Sequence, residues 1–235
     1  MFSLSSLHMS SVTCEVVFTF SLPTTTPLRP LNVTTPARGE ESNEKAKILV
    51  MSDSTCRNLR ANNLNQLINR EREQVIVSKH PGATAGQIQN YLDWWFCHNK
   101  PKTLVVSAGA NDLLYEEREA TRRNEHLANE PQIVSQLMDI GREARNRGVS
   151  DIYFCGLYTI KDLFDGYTSR FNQILESQCQ EHGFHFISNA NIGLGDLFDG
   201  LHVNNHSGHK KLKHNILKMC SKTYIHRNVH TMNCA

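Results

Sequence analysis

Five short apolar runs constrain this chain more than any other feature: KILVMS (47–52), QVIVSKH (74–80), TLVVSAG (103–109), DIYFCGLY (151–158) and FHFISNA (184–190). Each is nearly continuous in Val, Ile, Leu and Phe. A strand solvated on one face would alternate with period two, so continuous runs fit strands buried on both faces, as in a parallel sheet. Helical patterns lie between them. NLRANNLNQLINRERE steps through Leu59, Asn63, Leu64, Leu67 and Ile68 at three- and four-residue intervals. PQIVSQLMDIGREARNRG opens on Pro131 and stops at Gly148, and SRFNQILESQCQEHG lines up Phe171, Ile174, Leu175 and Cys179 before Gly183. GHKKLKHNILKMC closes the series with Leu212, Ile216 and Leu217. Alternating strands and helices predict an α/β, three-layer sandwich around a five-stranded parallel sheet.

The 235 residues suffice for one medium domain with a sizeable core. PTTTPLRPLNVTTPARGEESNEK is rich in Thr, Pro and charge and cannot bury much apolar surface. The expected organisation is therefore a flexible leader (1–44), a folded α/β domain (45–224) and a tail (225–235). VTCEVVFTFSL makes a poor signal peptide, because Glu15 interrupts it and no Lys or Arg precedes it. No run approaches 18 apolar residues, so no transmembrane helix is expected. The net charge of +2 leaves no basic stripe for nucleic acid. Lys210, Lys211, Lys213, Lys218 and Lys222 read as a solvated helix face. The seven cysteines are odd in number and lack a C-x-x-C pair. Cys155, Cys179 and Cys220 sit among apolar residues, as core thiols do in a reducing, cytoplasmic compartment.

In parallel α/β sheets, ligands bind outside the carboxyl ends of the strands. Four clusters of small or polar residues fall there. The first run stops on Ser52-Asp53-Ser54-Thr55 and the second on KHPGATAG, with Gly82 in a tight turn. The third stops on SAGAND, with Asn111 and Asp112, and the fifth is followed by DGLH, with Asp199 and His202 three apart. A serine hydroxyl needs a base to take its proton. His202 can be that base, with Asp199 fixing its tautomer. The N–H groups of Ser54 and Gly82 and the amide of Asn111 can hold an oxyanion. Geometry then requires Ser54, Asp199 and His202 to converge at the carboxyl edge, with the hydroxyl within about 4 Å of an imidazole nitrogen.

These four blocks, in this order, resemble those of the SGNH, or GDSL-type, hydrolases. The resemblance runs from Lys47 to Leu217. It implies Ser54 as nucleophile, Asp199 and His202 completing the triad, and Ser54, Gly82 and Asn111 as the oxyanion hole. It also implies a flavodoxin-like strand order and a small ester, acyl or acetyl, as substrate, with no cofactor. SDSTCRNL, HPGATAGQI and LHVNNHSGHKKL further resemble the compact SGNH domains of animal genomes, some of them in the first open reading frame of LINE-type retrotransposons. The chain departs from the family in its first block, where Ser52 stands in place of glycine. Extended strand geometry would suit a serine there.

Each motif has a plainer reading. Ser54 can be a helix N-cap, Gly82 a turn former, and Asn111 and Asp112 caps of the next helix. Asp199 and His202 can be a surface pair. His202, His206 and His209 have a spacing that a metal could use, although no metal is expected. Trp94 and Trp95 fit amphipathic helix packing. Cys56 lies near a helix N-terminus, which lowers thiol pKa, but packing or capping is the preferred role. LLYEEREATRRNEHLANE reads as a polar loop that sets specificity. There is no G-x-S-x-G elbow, phosphate loop or G-x-G-x-x-G fingerprint. The rival readings are a flavodoxin-like module cradling a phosphate or flavin at SDSTCRN, and an inactive hydrolase fold that binds proteins.

Overall fold

The computed structural model describes residues 46–61, 64, 73–98, 100–123, 129–163 and 166–218, all within the compact unit Asn43–Ala235. The expected leader and tail lie outside the described residues, as does Cys220. Five strands form one sheet: β1 (Ala46–Ser52), β2 (Glu73–Lys79), β3 (Thr103–Ser107), β4 (Asp151–Cys155) and β5 (His185–Ile187). All pairs are parallel and the order is β2-β1-β3-β4-β5. Leu49, Val50, Met51, Leu104, Val105, Val106, Ile152, Tyr153 and Phe154 are buried, as continuous apolar runs require.

The helices are α1 (Ala85–His98), α2 (Ala110–Arg123), α3 (Glu130–Asn146), α4 (Tyr167–His182) and α5 (residues 207–218). The steps β2→β3, β3→β4 and β4→β5 all run the same way across the sheet. Right-handed crossovers therefore put α1, α3 and α4 on one face. The step β1→β2 runs the other way, and by the same rule the buried Leu59 and Leu64 of that connection lie on the opposite face. Phe171, Leu175 and Cys179 are buried on α4, and Leu212 and Ile216 on α5. Gly183 ends α4 in the left-handed conformation.

Two local expectations are corrected. The segment after β3 is not mainly a loop, because residues 110–123 form α2. Leu113, Leu114 and Ala120 are buried along it. Its charged outer face hides the helical period from a sequence reading. α3 ends at Asn146, a short turn before β4, so α3 is the element that returns the chain to the amino edge. Nor does an α-helix start at Ser54: Ser54–Cys56 is a single 3-10 turn.

Candidate active site

The strand order reverses between β1 and β3, and the crevice at such a switch point is where open parallel sheets bind ligands. β1 delivers Ser54 to that crevice and β3 delivers Asn111. β1 is held to its end on both sides: the Asp53 N–H donates to Ser107 O (3.0 Å) and the His80 N–H to Ser52 O (2.7 Å). Within the 3-10 turn, Asp53 rather than Ser54 is the N-cap. Its Oδ1 accepts the Thr55 N–H at 2.8 Å and the Thr55 hydroxyl at 2.5 Å. The Cys56 N–H donates to Ser52 Oγ at 3.2 Å. The N–H and hydroxyl of Ser54 make no hydrogen bond with any described residue.

Gly82 sits at φ +81° in a turn closed by the Ala83 N–H donating to His80 O (3.0 Å). That conformation suits glycine, and the Gly82 N–H donates to no described residue. The Asn111 amide donates to Ala83 O at 2.9 Å, which ties the tip of β3 to this turn. Asp112 does cap a helix, but a neighbouring one: its carboxylate oxygens accept the Ala85 N–H of α1 at 3.2 and 3.0 Å.

Asp199 and His202 are directly bonded, His202 Nδ1 to Asp199 Oδ2 at 2.7 Å. Asp199 Oδ1 also accepts the N–H groups of Leu201 (3.0 Å) and His202 (2.8 Å). Burial pushes the Asp199 carboxyl up. The His202 ring and the two N–H donors outweigh it and hold the carboxyl down at about 2. It is therefore ionised throughout the physiological range, and Nδ1 carries a proton towards it. Nε2 is left free of described partners.

Two contacts tie this turn to the Ser54 turn. The Asn58 amide donates to Val203 O at 2.8 Å. The Tyr158 hydroxyl donates to Leu201 O at 2.7 Å and lies 3.4 Å from Thr55 O. Sequence reading missed both residues. Neither stands in a motif, and no periodic pattern marks a buried tyrosine as a bridge between distant turns. α2 and Asp162 also line a cavity of about 380 Å³ near the same edge, through Leu114, Glu117, Arg118, Thr121 and Arg122.

No protein-family model and no curated protein sequence matches the chain. Solved structures do. A lipase/acylhydrolase from Enterococcus faecalis superposes with a TM-score of 0.58 at 16% identity, over 74% of this chain and 94% of that one. A GDSL-like lipase from Bacteroides thetaiotaomicron gives 0.56 at 13%, over 80% and 93%. A catalytic mutant of an acetylxylan esterase from Geobacillus stearothermophilus gives 0.61 at 14%, over 75% and 95%. The fold is that of the SGNH hydrolases.

Within this SGNH fold, the first-block departure has a structural account. Ser52 is fully buried at the end of β1, and its hydroxyl donates to Asp53 O (2.9 Å) while accepting the Cys56 N–H. Ser52→Gly removes that acceptor and adds unfolded-state entropy. A loss of roughly 1–2 kcal/mol in denaturant unfolding is expected, with any esterase turnover little changed. A gain in turnover would show instead that the serine crowds the site.

Asp53 carries a second consequence. Burial raises its carboxyl to about 6, against the bonds from Thr55, and its Oδ2 has no partner. Between about pH 4 and 6 the folded protein binds a proton that the unfolded chain has released, so stability falls as pH rises through that window. Relative to Asp53→Asn, the parent should lose on the order of 3 kcal/mol of unfolding free energy from pH 4 to pH 7. Parallel stability curves for the two proteins would contradict a raised Asp53.

The remaining candidates resolve simply. Burial raises the Cys56 thiol, so the turn does not activate it. Cys56, Cys97 and Cys179 are free thiols. Trp94 is exposed, whereas the half-buried Trp95 donates its indole N–H to Ser78 Oγ at 3.0 Å. Among the described residues, no three His, Cys, Asp or Glu side chains, those of His202, His206 and His209 included, are grouped to hold a metal. No described helix is long and apolar enough to cross a membrane.

Proposed function

We propose that the protein is a serine ester hydrolase acting through an acyl-enzyme on small esters, acyl or acetyl. The supporting observation is the 2.7 Å Asp199–His202 pair on a turn that Asn58 and Tyr158 bind to the Ser54 turn. Ser54 Oγ attacks the ester carbonyl while His202 Nε2 takes its proton, and Asp199 steadies the imidazolium. The charge on the carbonyl oxygen is received by the N–H groups of Ser54 and Gly82 and the second N–H of the Asn111 amide. His202 returns the proton to the departing alcohol. Water then attacks the acyl group, His202 takes its proton, and Ser54 leaves as the free hydroxyl when the acid is released.

The neighbours favour this chemistry. They are named as acylhydrolases, lipases and esterases, and the two catalytic mutants of the Geobacillus enzyme replace an aspartate and a histidine three positions apart. Asp199 and His202 have the same spacing. The closer likeness to animal-genome and LINE-type domains rests on the three stretches that carry it. The phosphate-cradling alternative loses its basis in the Ser54 turn. There the N–H groups of Thr55 and Cys56 are already taken by Asp53 and Ser52. Fluorophosphonate labelling followed by peptide mapping tests the proposal. A single adduct on Ser54 is the expected result, and no adduct together with no hydrolysis of small aryl esters removes it.

A further inference from the structure

The turn that carries His202 is short and lies at the protein surface. A bridge between Leu197 and Val203 and the Phe198 N–H bonded to His202 O (2.8 Å) close it on itself, but they do not locate it relative to Ser54. Its position depends on the segment after β4. There Tyr158 is buried, with its hydroxyl between Leu201 O and Thr55 O, the carbonyls next to His202 and Ser54 in the chain. The single phenolic proton goes to Leu201 at 2.7 Å, and Thr55 at 3.4 Å is the long branch.

The platform beneath that hydroxyl is rigid. The Asn172 side chain bonds both the N–H and the carbonyl of Leu157, each at 2.7 Å. The Asn189 amide donates to Gly156 O at 2.7 Å, and the Gly156 N–H to Ile187 O at 2.8 Å. On the other side of Tyr158, the Lys161 N–H donates to Gly200 O at 2.9 Å. Gly200 sits at φ +85°, and a Cβ there would lie 2.7 Å from Lys161 Cβ. The turn is thus seated on the β4–α4 segment with no room for a larger residue.

We propose that Tyr158 is a positioning residue whose hydroxyl clasps the His202 turn to the Ser54 turn and sets the reach from Nε2 to the nucleophile. The proposal rests on the hydrolase reading. Proton transfer needs that reach to close to about 2.6–3.2 Å, and a 1 Å misplacement can cost roughly 100-fold in rate. Tyr158→Phe keeps the ring packing and removes the clasp.

The test compares parent and Tyr158→Phe, well below melting, with p-nitrophenyl acetate and a fluorophosphonate. A roughly 10- to 100-fold fall in kcat and in labelling rate is expected, with KM little changed. In a His202→Ala background the same substitution should have no further effect, because Tyr158 acts through His202. Asn58→Ala, at the outer end of the clasp, should give a smaller loss of the same kind and serves if the phenylalanine variant does not fold. In the NMR spectrum the His202 Nδ1 proton should exchange with water faster in either variant. A lowered Tm with unchanged kcat and unchanged proton exchange would reduce Tyr158 to a packing residue. If the parent itself neither hydrolyses nor labels, the hydrolase reading fails, and the exchange measurement still decides whether the clasp exists.

Discussion

Replacing Ser54 by alanine is expected to lower hydrolysis of a small aryl ester by roughly four to six orders of magnitude and to abolish fluorophosphonate labelling. On the proposed mechanism, His202→Ala should do nearly as much, and the double variant little more, because a nucleophile and its base act as one unit. The physical ground is the isolation of the pair. The Asp199 carboxyl at about 2 is already ionised, so it can steady the imidazolium at any physiological pH. Loss of activity in mild acid should therefore not come from Asp199. Neither substitution should disturb folding much, since the Ser54 hydroxyl makes no hydrogen bond with a described residue and the His202 turn lies at the surface. A Ser54→Ala protein with full esterase activity would move the chemistry elsewhere.

Gly208→Ala is expected to destabilise the domain by roughly 3 kcal/mol or more. A Cβ at this position would lie 2.1 Å from the Asp196 carbonyl oxygen, a backbone atom that cannot rotate away. Either α5 or the segment 194–204 must shift. That segment is knit together locally. The Asn204 N–H donates to Asp196 O at 2.8 Å, Asn204 Oδ1 accepts the N–H groups of His206 and Gly208, and Lys211 pairs with Asp196 at 2.7 Å. The same segment carries Asp199 and His202, so the substitution should also lower esterase kcat in whatever fraction remains folded. Urea unfolding gives the first effect and active-site titration separates the second. A variant as stable as the parent would mean that α5 can slide at little cost.

The strands were legible in sequence because burial on both faces demands continuous apolar residues, a local signal in KILVMS, TLVVS and DIYFC. α3 and α4 were legible for a related reason: their apolar period and glycine stops are written within one segment. α2 was not, since its buried residues, Ala110, Asp112, Leu113, Leu114 and Ala120, make no continuous apolar stripe and most of the rest of ANDLLYEEREATRR is charged. Asp199 and His202 could be paired from sequence because three residues of one turn bring them together. What no local pattern could supply was the relation between that turn and Ser54. Asn58 to Val203 and Tyr158 to Leu201 join residues far apart in the chain, and such contacts follow from how β1, β4 and the final turn pack. The same holds for Ser52 and Asp53, whose sequence marks them only as small and polar. The sheet encloses them, and enclosure turns one hydroxyl into a cap for Cys56 and raises a carboxyl to about 6. Periodicity and turn chemistry are properties of neighbouring residues, whereas desolvation and reach depend on which distant segments close over them.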